Sequence, residues 1–304
     1  MSKKALAHLL LLAVVAVWGA TFALVKSALT DVSPLLFNLI RMAFATAALA
    51  IVNRRHLRSV PRRTYFAGMV AGLLLAAGYQ FQTVGLARTT PSKSALITGF
   101  VVVFVPILST LPSLRPKGSP HPGWTSGVGA LFAFAGLALL TTAPGATLGN
   151  VTTGIGIGDW LTLVCALAFA GHLLTLAHLA PEIPVRQLAT LQIAFAALFM
   201  LVTLPLSGSL YLHLSARLLV ALAVTSLLAT AAAFTIQSWA QQHIPPTNTA
   251  ILLTLEPVLA VAVSFLYFGE RMTARSLIGA ALILCGIAII ELLALPAPVA
   301  IEPA

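Results

Sequence analysis

Ten runs of mainly apolar residues, each near the length of a bilayer-spanning helix, leave this chain little choice of solvent or backbone. They cover about 5–27, 33–53, 66–87, 93–112, 124–142, 158–179, 187–206, 216–240, 247–268 and 274–294. A helix needs about 20 such residues to cross the hydrocarbon core. Inside that core each backbone N–H and C=O has to be satisfied within the segment, which a helix achieves and an open strand does not. Charge points the same way: 8% of the 304 residues are charged and 59% are hydrophobic, whereas soluble domains carry about 25% charged residues. The predicted fold class is an all-α membrane protein with ten transmembrane helices. Loop chemistry marks the breaks, as at Asp31-Val32-Ser33-Pro34, the basic run 54–63, Pro181-Glu182-Ile183-Pro184 and Gly269-Glu270-Arg271.

The second constraint is internal repetition. Adding 155 carries Gln82 to Gln237, Pro91 to Pro246, Ser92 to Thr247, Ser94 to Thr249 and Ala95 to Ala250. An offset of 151 takes Trp18 to Phe169, Thr21 to His172 and Phe44 to Phe195; one of 150 takes Gly129 to Gly279 and Gly136 to Gly286. The chain therefore divides into a first five-helix repeat, 1–145, a second, 154–294, and a short tail, 295–304. An odd number of spans per repeat forces the second to enter the membrane from the opposite side, giving inverted repeats around a central cavity.

Basic residues set the orientation. With the N-terminus inside, Lys3, Lys4, Arg54, Arg55, Arg58, Arg62, Arg63, Arg115, Lys117 and Arg186 are cytoplasmic, ten against the five outside, Arg88, Lys93, Arg217, Arg271 and Arg275. The positive-inside rule favours both termini in the cytoplasm. The N-terminal Lys-Lys and apolar run could be a cleaved leader, but the counterpart of the first run in the sixth argues that it is retained. The net charge of +10 lies in short loops between apolar runs, not on a basic face with interleaved aromatics, so nucleic acid is not an expected partner.

Polar residues deep in a span are costly against lipid and should face the meeting place of the two repeats. Trp18 lies roughly 20 Å into its helix, and Thr21 shares its face; they either line the cavity or pack, with the hydroxyl bonded to its own helix. Tyr79 and Gln82 on the third span face Phe234 and Gln237 on the eighth. The two glutamines either bond each other across the helices or serve a polar ligand. Ser94, Thr98 and Thr249 offer hydroxyls one turn inside the fourth and ninth spans, with Ser92 and Thr247 as capping residues. His172 either packs as a neutral ring or gates with a proton. Glu256, about ten residues in from Pro246, either binds an ammonium group or a proton, or pairs with Arg41. Arg41, roughly 12 Å into the second span, needs a fixed partner or a ligand carboxylate. Lys26 and Lys93 read as snorkelling side chains, and Asp159 as an N-cap.

No nucleophile–base pair, phosphate loop or metal-ligand spacing is found, and Cys165 and Cys285 sit alone in apolar runs. No cofactor and no metal are expected, and no enzymatic activity.

Two stretches then carry a resemblance: Leu255-Glu256-Pro257-Val258, and Gly269-Glu270-Arg271-Met272-Thr273 leading to Ile278 through Gly286. With Trp18-Gly19 and Arg41-Met42 they resemble EamA-type members of the drug/metabolite transporter superfamily. The resemblance implies ten helices in inverted five-helix repeats, both ends cytoplasmic, and a central cavity lined by spans 1, 3, 4, 6, 8 and 9. Mapped here, it implies Trp18, Thr21, Tyr79, Gln82, Ser94, Thr98, His172, Gln237 and Thr249 as substrate-binding residues. Its motif marks Glu256, Gly269 and Glu270. No acid of the first half matches Glu256, since subtracting 155 gives Val101.

The expected function is a secondary-type transporter that exports small metabolites such as amino acids by alternating access. Its partners are a small-molecule substrate and membrane lipid, with the proton as candidate coupling ion and a monomeric or weakly oligomeric state. Arg41 and Glu256 are the candidate coupling or structural charges. A membrane-embedded enzyme and a non-transporting receptor or scaffold are the alternatives; the first needs converging catalytic groups, the second a tightly packed interior.

Overall fold

A computed structural model describes residues 2–115, 123–141, 155–179, 182–243, 252–253 and 255–292. They form α1 (Lys3–Ala28), α2 (Pro34–Asn53), α3 (Arg62–Leu86), α4 (Pro91–Thr98), α5 (Val101–Leu108), α6 (Trp124–Thr141), α7 (Ile157–Leu179) and α8 (Val185–Thr203). After a 3-10 turn (Leu204–Ser207) come α9 (Ala216–Ala223), a π-helix (Val224–Ala232), α10 (Ala233–Ala240), α11 (Leu255–Phe268) and α12 (Ala274–Leu292). Among the described residues the only β pairing is an isolated antiparallel bridge, Val32 to Leu212.

The protein is an all-α, multi-pass membrane protein. Among the described residues, seven segments are long and apolar enough to span: Lys3–Ala28, Pro34–Asn53, Arg62–Leu86, Pro91–Leu108, Ile157–Leu179, Val185–Ser207 and Ala216–Ala240. Three shorter apolar helices, Trp124–Leu140, Leu255–Phe268 and Ala274–Ile289, accompany them. Their outer faces are apolar without cover from protein. Leu206 and Leu266 are each 80% exposed, a state that only lipid makes inexpensive.

Local chemistry explains the helix starts. Ser2, Thr90 and Ser215 cap α1, α4 and α9 by accepting from Ala5, Lys93 and Leu218 backbone N–H groups. Pro34 and Pro91 open α2 and α4, where a missing N–H has no cost. The expected cap Ser92 is thus displaced by Thr90, two residues earlier. Asp159 is not the cap of α7 either; from its first turn it reaches back to accept from the N–H of Gly156 at 3.0 Å.

Two spans are interrupted. The fourth turns at Gly99-Phe100 between α4 and α5, and the eighth widens into the π-helix. A π segment is rare and sits mostly at functional places. Here it stands beside α2 and α1.

Helix pairing sets the frame around the centre. α3 lies against α7 and α8, α1 against α11 and α10, and α6 against α12. In the last pair the backbones touch. A Cβ on Gly136 would stand 2.4 Å from the carbonyl oxygen of Gly279, and one on Gly286 would stand 2.4 Å from that of Gly129. Passing from 129 to 136 on α6 means passing from 286 to 279 on α12, so these helices run antiparallel. Close backbone approach through small residues is how apolar helices associate in lipid, where no hydrophobic force draws them together.

Candidate functional site

Among the described residues, eight of the twelve α-helices line a shared cavity. α1 contributes Trp18 and Thr21, α2 Arg41, α3 Tyr79, Gln82 and Thr83, and α4 Thr98; α7 contributes Phe169 and His172, and α10 Phe234 and Gln237. Leu253, Glu256 and Pro257 close it beside α11.

Phe234 is the hub of its apolar wall. Its ring centroid lies 5.5 Å from that of Trp18, 6.2 Å from Tyr79 and 5.8 Å from His172. Phe169 meets Tyr79 edge-on at 5.3 Å. Such tilted and edge-to-face contacts fix ring positions, so the wall is built before any ligand arrives.

The polar groups are held individually. The Trp18 indole N–H donates to the carbonyl of Ala229 in the π-helix at 2.8 Å, and the Thr21 hydroxyl donates to the Trp18 carbonyl at 2.7 Å. Thr21 therefore both bonds its own helix and lines the cavity. Gln82 Nε2 donates to Thr98 Oγ1 at 3.3 Å. The two glutamines do not bond each other, and Gln237 Oε1 has no partner among the described residues. His172 Nε2 lies 2.8 Å from Gln192 Oε1.

Arg41 Nε donates to Thr230 Oγ1 at 2.8 Å and Nη2 to the Tyr79 hydroxyl at 3.1 Å, with the guanidinium 4.2 Å from the Tyr79 ring centroid. It does not pair with Glu256: among the described residues the ion pairs are Arg63–Glu182, Lys93–Asp159 and Arg217–Asp31. Asn38 donates to the Tyr79 carbonyl at 2.9 Å and accepts from Thr83 at 3.0 Å, fixing that stretch of α3.

Polar contacts tie the helices together where α3 ends and α4 begins. Lys26 Nζ donates to the carbonyls of Leu86, Ala87 and Thr89, at 2.8, 3.1 and 2.9 Å, where α3 ends. Lys93 pairs with Asp159 at 2.6 Å, and Thr89 donates to the same carboxylate at 3.0 Å. Gly269, at φ 63°, takes the left-handed conformation that ends α11. It turns Glu270 back to accept from Ser264 and, at 2.9 Å, from the Ser92 hydroxyl.

Trp18, Thr21, Arg41, Tyr79, Gln82, Thr98, His172, Gln237 and Glu256 are thus brought to one cavity. Ser94 is not: it is fully buried, and its hydroxyl has no partner among the described residues. The cavity face of this helix is centred on Ala95, Thr98, Gly99 and Val102. Ser94 lies at its edge, beside Ala95. Thr249, with Pro246, Thr247, Thr254 and the tail 295–304, lies outside the described residues. Thr230, Asn38 and Gln192 were missed. Each acts through a neighbour, and only an amide or hydroxyl buried in a span hinted at them.

Known proteins match this arrangement along its length. Residues 5–142 and 156–292 each match the EamA-like transporter family. An uncharacterized transporter of Archaeoglobus fulgidus is 31% identical over 290 residues, covering 95% of this chain and 87% of that protein. The uncharacterized transporter YoaV of Bacillus subtilis is 24% identical over 289 residues, covering 91% and 94%. A solved crystal structure superposes with a TM-score of 0.66 at 19% identity, covering 95% of this chain and 98% of that one.

Proposed function

Because the chain belongs to the EamA-like transporter family, a family of transporters and not of enzymes, we propose that it is a secondary-type carrier that exports small metabolites, amino acids among them. Its two inverted five-helix halves, 1–145 and 154–294, rock about the central cavity and expose it to each side in turn. It lies in a bacterial-type inner membrane with both termini in the cytoplasm, as a monomer or weak oligomer.

One observation carries this reading: polar side chains from mid-span positions on both sides of residue 150 converge on one cavity, at a depth where lipid would penalise each of them. The glycine pair adds support for inversion. With the offset of 150, Gly129 corresponds to Gly279 and Gly136 to Gly286. Each glycine packs on the counterpart of the other, Gly129 on Gly286 and Gly136 on Gly279. Reciprocal contact of that kind is what a twofold relation produces. The polar ties where α3 ends and α4 begins are read as closure of that end, which fits a state open or occluded toward the opposite side. Glu256 is the candidate proton site; its replacement by Gln should abolish pH-driven flux and spare exchange.

The test needs no knowledge of the substrate. Single cysteines at Thr98 and Gln237, in a background lacking Cys165 and Cys285, are exposed to an impermeant thiol reagent from either face of membrane vesicles. Alternating access predicts that each position is reached from both faces. Labelling from one face alone rejects it.

A further inference from the structure

Arg41 is 3% exposed and lines the cavity, yet no carboxylate among the described residues comes within ion-pair distance of it. A guanidinium has five N–H donors and is never deprotonated in a protein. Here one hydrogen of Nε goes to Thr230 and one of Nη2 to Tyr79, both neutral hydroxyls. Those bonds leave Nη1 and the second Nη2 hydrogen without an acceptor among the described residues. A buried charge is costly unless it is paired, and two hydroxyls with one aromatic face offset that cost only in part.

The guanidinium is also fixed in place. Thr230 sits in the π-helix and donates its own hydrogen to the Thr225 carbonyl at 2.7 Å, so its oxygen is turned outward as an acceptor. The Tyr79 ring holds the guanidinium plane and meets Phe169 and Phe234 edge-on. An anion site and an apolar wall therefore share one side chain.

We propose that Arg41 is the oxyanion site of this cavity. Its ligand carries a carboxylate-type group that docks on the free Nη edge, attached to an apolar body that lies against Phe169 and Phe234. Thr230 is a positioning residue. This rests on the carrier reading for its biological meaning but not for its chemistry.

The test uses three probes on one skeleton, 3-phenylpropionate, 3-phenylpropan-1-ol and 3-phenylpropylamine, titrated calorimetrically into the purified full chain. A charge-assisted fork predicts the acid binding about tenfold or more tighter than the alcohol, with the amine weakest. Arg41→Gln should remove the acid's advantage, and Arg41→Lys and Thr230→Val should each reduce it while the alcohol's affinity holds. Equal binding of acid and alcohol, no binding of the acid, or an advantage that survives Arg41→Gln overturns the proposal. If Arg41→Gln does not fold, the wild-type series and Arg41→Lys decide. Two-sided cysteine labelling without acid preference removes this proposal alone. Acid preference with one-sided labelling removes the carrier reading and leaves the site.

Discussion

The Trp18 indole nitrogen and the Ala229 carbonyl oxygen, 211 positions apart in sequence, lie 2.8 Å from each other. The bond crosses from α1 to the π-helix, which also bears the hydroxyl that holds Arg41. Trp18→Phe keeps an aromatic ring against Phe234 and deletes only the N–H. The expected loss is about 1 kcal/mol, the usual net worth of one buried hydrogen bond. Thermal unfolding in detergent checks it. Trp18→Ala, which also strips the ring contact, should cost more, and a Trp18→Phe variant that melts with wild type would count against the bond.

Backbone contact between α6 and α12 leads to a contrast within one helix. A Cβ at Gly136 would meet the Gly279 carbonyl oxygen at 2.4 Å and the Ile283 nitrogen at 2.8 Å, both backbone atoms that cannot step aside as a side chain would. Gly136→Ala should destabilise by about 1–3 kcal/mol, the usual cost of overpacking. Gly127 on the same helix has nothing within 4 Å of its Cβ position. Gly127→Ala should be neutral or stabilising, by up to about 1 kcal/mol from helix propensity alone. Melting temperatures of the two variants side by side make the measurement.

Much of the cavity was legible because lipid makes polarity informative. A Gln or Arg inside an apolar run has to face something other than acyl chains, so Gln82, Gln237 and Arg41 could be assigned inward from sequence alone. What periodicity could not supply was partnership. Whether Arg41 and Glu256 pair was open in the sequence; Arg41 bonds Thr230 and Tyr79 instead. That choice depends on the π-helix, and nothing in the run Val224–Ala232 announces an extra residue per turn. The partners of Lys26 and Lys93, the carbonyls ending α3 and the Asp159 carboxylate, are 60 or more residues away in sequence and could not be named from it. Ser94 is one turn from Thr98, yet it is its neighbour Ala95 that lines the cavity while the Ser94 side chain is buried against protein.

The turn between α1 and α2 should be acid-sensitive. Ser215 donates to Asp31 Oδ2 at 2.6 Å, and Arg217 Nη2 meets both carboxylate oxygens at 2.9 Å. The Ser215 hydroxyl first, and the Arg217 guanidinium second, hold the Asp31 carboxyl below its ordinary value. A group whose folded pKa is depressed adds stability above its unfolded pKa, about 3.9 for Asp. That contribution is lost as the pH falls through the folded value. Asp31→Asn should therefore melt below wild type at neutral pH, with the gap narrowing on acidification below about pH 4. A gap independent of pH would reject the assignment.

Closure of the cavity beside Ser92 should depend on Glu270. Its carboxylate accepts from Ser92 at the start of α4 and from Ser264 in α11, tying together helices from opposite ends of the chain. Glu270→Ala removes both acceptors at a position outside the cavity wall. Losing about 1 kcal/mol of closure changes a two-state population roughly fivefold. A reporter cysteine at Thr98 should accordingly react about fivefold faster from the face where α4 begins, and no faster from the other. Glu270→Gln, which retains a carbonyl acceptor, should give a smaller increase. Unchanged labelling from that face in Glu270→Ala would show that Lys26 and the Lys93–Asp159 pair suffice to keep it shut.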